Sequence, residues 1–154
     1  MKQIKAIPKL VFDNHFNDKQ FKYYDYACFI SILDCDNTEK KFDVNINNFL
    51  QVRMWDIEED LFENNLLKYE KPSDSELKKI VHFIHKHKDK SVFVVHCSAG
   101  ISRSGAVACF IREKFNSEVD KEEFTRENKF INPNLYILNQ LKKMDLIFNI
   151  QCQH

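Results

Sequence analysis

Apolar and polar positions alternate along this chain in short blocks, and the period of the pattern changes from block to block. Val92-Phe93-Val94-Val95 is a continuous β-branched and aromatic run with the length of a buried strand. Soon after it, Gly105-Ala106-Val107-Ala108-Cys109-Phe110-Ile111 has the alanines and the apolar spacing of a buried helix. Upstream, Tyr26 to Leu33 (YACFISIL) predicts another buried strand, closed by a turn at Asp34-Cys35-Asp36-Asn37. Phe49 to Trp55 predicts a further strand, which delivers the acidic run Asp56-Ile57-Glu58-Glu59-Asp60. Ile4 to Phe12 can form a first strand, and Pro8 puts it at an edge, because a proline would cost a central strand a hydrogen bond. Leu61 to Lys71 reads as a loop by composition, Asp13 to Asp25 carries no period, and the polar Thr38 to Asn48 reads as a loop with a short helix or strand.

Helical signals fall between and after these strands. Ser73 and Glu76 form a capping box at the start of a helix whose Leu77, Ile80, Val81 and Ile84 share one face and which ends near His87. Asp120-Lys121-Glu122-Glu123 opens a short helix. Pro133-Asn134 opens the last one, with Leu135, Ile137, Leu138, Leu141 and Met144 as its core positions. Strands alternating with helices predict an α/β fold: a short, twisted, mostly parallel central sheet flanked by helices on both faces. With no repeat or linker in the way, residues 1–154 are read as a single domain, long enough for one core and short for two.

Charge and cysteine content then remove several classes. There are 23 basic and 23 acidic residues, so no global field steers nucleic acid or an anionic membrane to the chain. No run approaches the roughly 18 apolar residues of a membrane span, and Met1-Lys2-Gln3-Ile4-Lys5 does not lead into a signal-peptide core. Five cysteines without a Cys-x-x-Cys pair predict free thiols in a reducing compartment, hence a cytoplasmic protein and no zinc site. His82, His85 and His87 cannot all lie on one helical face, and no acidic residue is spaced to join them. They are read as a solvated face, with no metal and no cofactor expected.

The chemistry concentrates in Cys97-Ser98-Ala99-Gly100-Ile101-Ser102-Arg103, between the predicted strand and the buried helix. The chain's two glycines, Gly100 and Gly105, both fall at this junction, where a tight turn or close backbone packing excludes a Cβ. Such a turn aims successive N–H groups into one concavity, to which the helix adds the positive end of its dipole, and phosphate is the usual guest. The same groups favour the Cys97 thiolate, and the planar fork of Arg103 suits two phosphate oxygens. Together these are the parts of a phosphoryl-transfer site. The competing reading is a buried structural cysteine with Arg103 acting as a cap.

The nine residues His96-Cys97-Ser98-Ala99-Gly100-Ile101-Ser102-Arg103-Ser104 resemble the Cys-x5-Arg signature of the protein tyrosine phosphatases, with the closest likeness to the small dual-specificity-like branch. Arg126, followed by Asn132-Pro133-Asn134 and Gln140-Leu141, is similar to the family's segment after the phosphate loop, so the likeness spans residues 49 to 141. The resemblance implies a tyrosine-phosphatase-like fold, a cysteinyl-phosphate intermediate and no metal. It casts Cys97 as nucleophile and Ser98, Ala99, Gly100, Ile101, Ser102 and Arg103 as the phosphate cradle. Ser104 would donate to the Cys97 sulfur, against a plain capping role, and His96 would help set the nucleophile, against a plain strand-end role.

The family's proton donor is an Asp on a mobile loop, and Asp56 is the best match, with Glu58, Glu59 and Asp60 as rivals and a solvated acidic turn as the alternative. Asp56 lies forty-one residues before Cys97, against about thirty-odd in the family, an excess of one small surface insertion. Met54-Trp55-Asp56 stands where the family most often has Trp-Pro-Asp. The loop carries no lysine, which favours a phosphoprotein over a phosphoinositide, and the neutral chain offers no basic channel for an RNA 5′-phosphate. No nucleic-acid or membrane partner is therefore expected. A phosphate-binding regulatory module without turnover is the reading from another class. Cys35 follows a strand's carboxyl end, the edge where Cys97 also emerges. Some superfamily members protect the nucleophile with a disulfide from a neighbouring strand; a turn cysteine without function is the alternative.

Overall fold

The chain's computed structural model describes residues 2–16, 24–39, 47–116 and 121–152. In chain order the strands are β1 (Gln3–Pro8), β2 (Ala27–Leu33), β3 (Phe49–Arg53), β4 (Leu61–Glu63), β5 (Leu66–Tyr69) and β6 (Val92–Cys97). The helices are α1 (Lys9–His15), α2 (Asp74–Lys86), α3 (Arg103–Phe115), α4 (Lys121–Glu127) and α5 (Leu135–Cys152). Strands β1, β6, β2 and β3 pair in that order, all parallel. Parallel neighbours need crossovers, which is why the helices fall on the faces of this sheet. Helices α2 to α5 lie on one face and α1 on the other, so the α/β arrangement with both faces covered is the one observed.

Alternation along the central strands divides the core. Cys28, Ile30 and Ile32 of β2 and Phe93, Val95 and Cys97 of β6 face α2, α3 and α5, where Leu77, Ile80, Ile84, Ile111, Ile137 and Leu141 are fully buried. Each such side chain contributes about 1.5–3 kcal/mol by leaving water. On the opposite face Ala27, Phe29 and Val94 meet Phe12 of α1, forming a smaller, aromatic cluster.

Several expectations change in detail. The first strand stops at Pro8, and Lys9 to His15 turns into a helix. Pro8 has φ −68°, which ends an extended strand and also suits a helix start, and a Lys9–Asp13 ion pair of 2.7 Å spans the first turn. As the last residue of an edge strand, Pro8 costs the ladder nothing. Leu61 to Lys71 is not a loop. It contains the β4–β5 hairpin, whose Asn64 and Asn65 have φ of 52° and 63°, the left-handed pair of a type I′ turn. Half of the capping box forms: Ser73 Oγ accepts the Glu76 N–H at 3.3 Å, while the Glu76 carboxylate accepts the backbone N–H of Arg53. Leu135, expected in the core, is 57% exposed.

The three histidines are not one solvated face. His82 is exposed, but His85 Nε2 lies 2.6 Å from Asp145 Oδ1 of α5 and its ring stacks on Phe148. His87 is buried against Phe83, and burial holds its pKa below the usual histidine value. The acidic partner missing from the local sequence came from a helix sixty residues away. Among the described residues no three His, Cys, Asp or Glu gather to hold a metal ion, and no helix is long and apolar enough to cross a membrane. The stretch 13–25 and the loop expected at 38–48 lie partly outside the described residues, and Asp120 of the predicted helix start lies outside them.

Candidate active site

Because all four strands run the same way, their carboxyl ends share one edge, and Pro8, Cys97, Leu33 and Arg53 finish there. In open α/β sheets that edge is where ligands bind. From it the chain leaves β6 at Cys97, crosses Ser98 to Ser102 and enters α3 at Arg103.

Gly100 makes the crossing possible. Its φ is +72°, and a Cβ there would stand 2.5 Å from Pro8 N and collide with the Ile7 carbonyl carbon. Both reasons for a glycine therefore hold at this one residue. Gly105 is tight for packing, its would-be Cβ lying 3.1 Å from Ile131 Cβ. Around the loop the carbonyls are tied outward. Ser98 O accepts from Lys9 N, Ile101 O from Asn132 N and Ser102 O from Asn134 N. The N–H groups of Ser98 to Ser102 have no hydrogen-bond partner among the described residues, which is the state an anion needs to find them in.

Cys97 Sγ sits on the loop's floor, 2% exposed as a residue and 3.1 Å from Ser104 Oγ, itself fully buried in the first turn of α3. His96 points to the opposite face. Its Nε2 lies 2.6 Å from Oγ of Ser31, its neighbour across the β2–β6 pairing, and its ring packs 4.2 Å from that of Phe12. Its Nδ1 is 3.4 Å from the Cys97 carbonyl oxygen, so it touches the backbone from which the loop departs.

Arg103 is only 5% exposed. Its Nη1 donates to Asp34 Oδ1 at 2.6 Å and to Met54 O at 2.8 Å, and its Nη2 donates to Ser98 Oγ at 3.3 Å. Its Nε is buried without a partner. The Nε–Nη2 edge of a guanidinium is a two-pronged donor, so the side turned away from Asp34 is the one that fits two oxyanion oxygens. Asp34 offsets a buried positive charge that would otherwise be costly.

Asp56 is exposed and lies across the loop, its Oδ1 accepting from Ser102 Oγ at 2.7 Å and from Asn134 Nδ2 at 3.0 Å. Of its rivals, Asp60 accepts from the Lys71 N–H and Glu58 from the Leu135 N–H, whereas Glu59 is exposed. Asp56, Glu58, Ser102, Asn134 and Leu135 line an open cleft of about 400 Å³. Asn134 joins three parts, capping α5 through Ile137 N while its amide reaches Asp56 and Ile57 O.

Reading the sequence missed Asp34, Ser31 and the joining role of Asn134. Only Asp34 left a signal, an acid at the carboxyl end of a buried strand beside β6. Arg126, part of the resemblance, is exposed on α4. Burial pushes the Cys28 thiol up to about 12 and also raises those of Cys109 and Cys35. Cys35 is exposed in the turn beside Asp34, where a backbone hydrogen bond at Trp55 opposes that rise.

The model of the dual specificity phosphatase catalytic domain matches residues 20–145. A curated relative, "Putative tyrosine-protein phosphatase AMV078" of Amsacta moorei entomopoxvirus, is 25% identical over 126 residues, 80% of this chain and 70% of its own length. Among solved structures, DUSP15 superposes with a TM-score of 0.57 at 19% identity, covering 94% of this chain and 84% of that one. PTPMT1 in complex with PI(5)P gives 0.54 at 15% identity, covering 97% and 94%. These structural likenesses concern the fold. The family match starts well before residue 49, where the motif resemblance began, and takes in the acidic run, the loop and the 131–134 segment together. On that match the chain belongs to the dual specificity phosphatase catalytic-domain family.

Proposed function

We propose that this chain hydrolyses phosphomonoesters of protein side chains through a cysteinyl-phosphate intermediate. The observation that carries the reading is the pairing of the Cys97 sulfur, 3.1 Å from Ser104 Oγ, with the unpartnered Nε of buried Arg103. In the first step the sulfur attacks phosphorus and the ester P–O bond breaks. The loop N–H groups and Arg103 hold the three equatorial oxygens, and Asp56 gives its proton to the leaving oxygen. Next, water loses a proton to Asp56 and attacks phosphorus. The P–S bond then breaks, with the Ser104 hydroxyl donating to the departing sulfur.

Asp56 is favoured over Asp60 by its contact with Ser102 of the loop, because geometry precedes pKa in choosing an acid. His96 acts as a positioning residue, through Ser31 and the Cys97 carbonyl. A polyanionic inositol ring fits less well, since the loop offers no lysine and Glu58 lines the cleft. Residues 1–154 act as one catalytic domain, in a reducing compartment such as the cytoplasm that suits its five free cysteines.

The test is hydrolysis of an aryl phosphate, a phosphopeptide and a phosphoinositide in the presence of chelator. The wild type should turn over the first two. Cys97→Ser should abolish turnover while still binding phosphate, and Arg103→Lys should lose most activity because an ammonium cannot make the two-pronged contact. Turnover by Cys97→Ser would refute the covalent route, and a wild type that binds phosphate without turnover would favour the regulatory module.

A further inference from the structure

Beside the cleft stands a surface that this chemistry does not use. The β4–β5 hairpin follows the acidic run directly and turns apolar side chains to solvent, with Phe62 65%, Leu66 72% and Leu67 51% exposed. Phe62 and Leu67 are cross-strand partners, so they stand side by side on one face of the ribbon. A lone two-stranded hairpin is marginal in water, and this one is fastened at its stem. Trp55 meets the Tyr69 ring edge-on at 5.0 Å, Asp60 accepts the Lys71 N–H, and the Lys71 ammonium lies 5.5 Å over the ring of Tyr136. Tyr136 adjoins Leu135, which lines the cleft. The apolar ribbon is thus anchored to the cleft's own rim.

The rim between ribbon and phosphate loop is acidic, with Glu58 and Glu59 exposed, whereas on the ribbon itself Glu63 is ion-paired with Lys68. Exposed apolar side chains grouped on an otherwise charged surface mark a contact site. Charge decides the occupant. A second copy in a two-fold contact would bring one rim of Glu58 and Glu59 toward another, and an anionic membrane would be repelled by it. A basic segment carrying an apolar side chain complements both features.

Resting on the phosphatase reading above, we infer that the hairpin is a substrate-docking element for phosphoprotein segments with a bulky apolar residue near the phosphorylated side chain and basic neighbours. Its contacts are remote from the reacting atoms and the same before and during the chemistry, so they act on KM rather than on kcat.

The experiment compares wild type with Phe62→Ser/Leu67→Ser, whose sites are exposed, so folding is retained. The substrates are an aryl phosphate and three phosphotyrosyl peptides: apolar and basic, Ser in place of the apolar residue, and Glu in place of the basic ones. The wild type should prefer the first peptide. The variant should keep full aryl phosphate turnover yet lose about tenfold in kcat/KM on that peptide, through KM, as the loss of buried apolar side chains dictates. Its preference for the apolar residue should vanish while that for basic neighbours persists. Equal peptide kinetics in the two proteins would overturn the inference. So would a wild-type dimer that the variant converts to monomer with peptide kinetics unchanged, which would make the ribbon a self-association surface. No aryl phosphate turnover by the wild type would instead remove the phosphatase reading, and the inference with it.

Discussion

Cys97, Gly100, Arg103 and Ser104 are buried, whereas Asp56, which meets the same loop at Ser102, and its neighbours Glu58 and Glu59 are exposed. The loop from Cys97 to Arg103 is held by backbone on three sides, through Lys9, Asn132 and Asn134, and its arginine is pinned by Asp34 and Met54 O. The acidic run meets that loop through the side-chain hydrogen bond of Asp56 to Ser102, and Asp56 also accepts from Asn134 at the start of α5. The difference follows the work each part is proposed to do. Charge stabilisation is effective when donors need not reorganise as charge develops. A proton donor must admit a substrate and release a product, and contacts of this exchangeable kind allow that.

The comparison breaks most completely at Gly100. Gly100→Ala should lower stability by about 2–5 kcal/mol, since it forces both a left-handed Ala and a clash with the Ile7–Pro8 backbone. Its midpoint in urea should fall, and phosphate protection against unfolding should disappear with it. Across the cleft, Asp56→Asn should leave stability and phosphate binding intact while lowering kcat by roughly two to four powers of ten. That loss should shrink for substrates with very acidic leaving groups, and Asp60→Asn should change little. The reverse pattern would move the proton donor to Asp60.

A smaller effect separates position from charge. Asp34→Asn should reduce kcat/KM by about tenfold, because one charge-assisted hydrogen bond to Arg103 is weakened while Met54 O still holds it. Asp34→Glu should recover part of the activity. The smallest effect lies outside both regions, at buried His87. Its pKa is lowered by burial, so above the ordinary value near 6.5 it is neutral in folded and unfolded chains alike, with no stability change. As pH falls below about 6.5 the unfolded chain takes up the proton first, and stability declines. Urea titrations at pH 7.5 and 5.5 should show a decline that His87→Phe reduces. That loss must be subtracted before an acidic limb is assigned to the active site.

Much of this protein was legible from its residues because the signals were local. The run 92–95, the strand at 26–33 and the amphipathic face of Leu77, Ile80, Val81 and Ile84 each carry their period within a few residues, and each formed the element expected. The loop was legible because Cys97, Gly100 and Arg103 fall within seven residues between a strand and a helix. Where the signal was present but weak it was misread. Asn64-Asn65 between apolar pairs is a hairpin turn that composition alone disguised as loop, and Leu135 sits at a helix end that packing leaves outside.

What the sequence by itself determined is the strand–loop–helix unit and the side chains it presents, since steric limits on backbone and periodicity operate at short range. Only the tertiary structure decided which distant groups complete it. Asp34 meets Arg103 across sixty-nine residues, Ser31 meets His96 across sixty-five, and Asn134 meets Asp56 across seventy-eight. Those meetings depend on the strand order β1-β6-β2-β3 and on parallel register, which close long loops at little entropic penalty and leave no trace in local sequence.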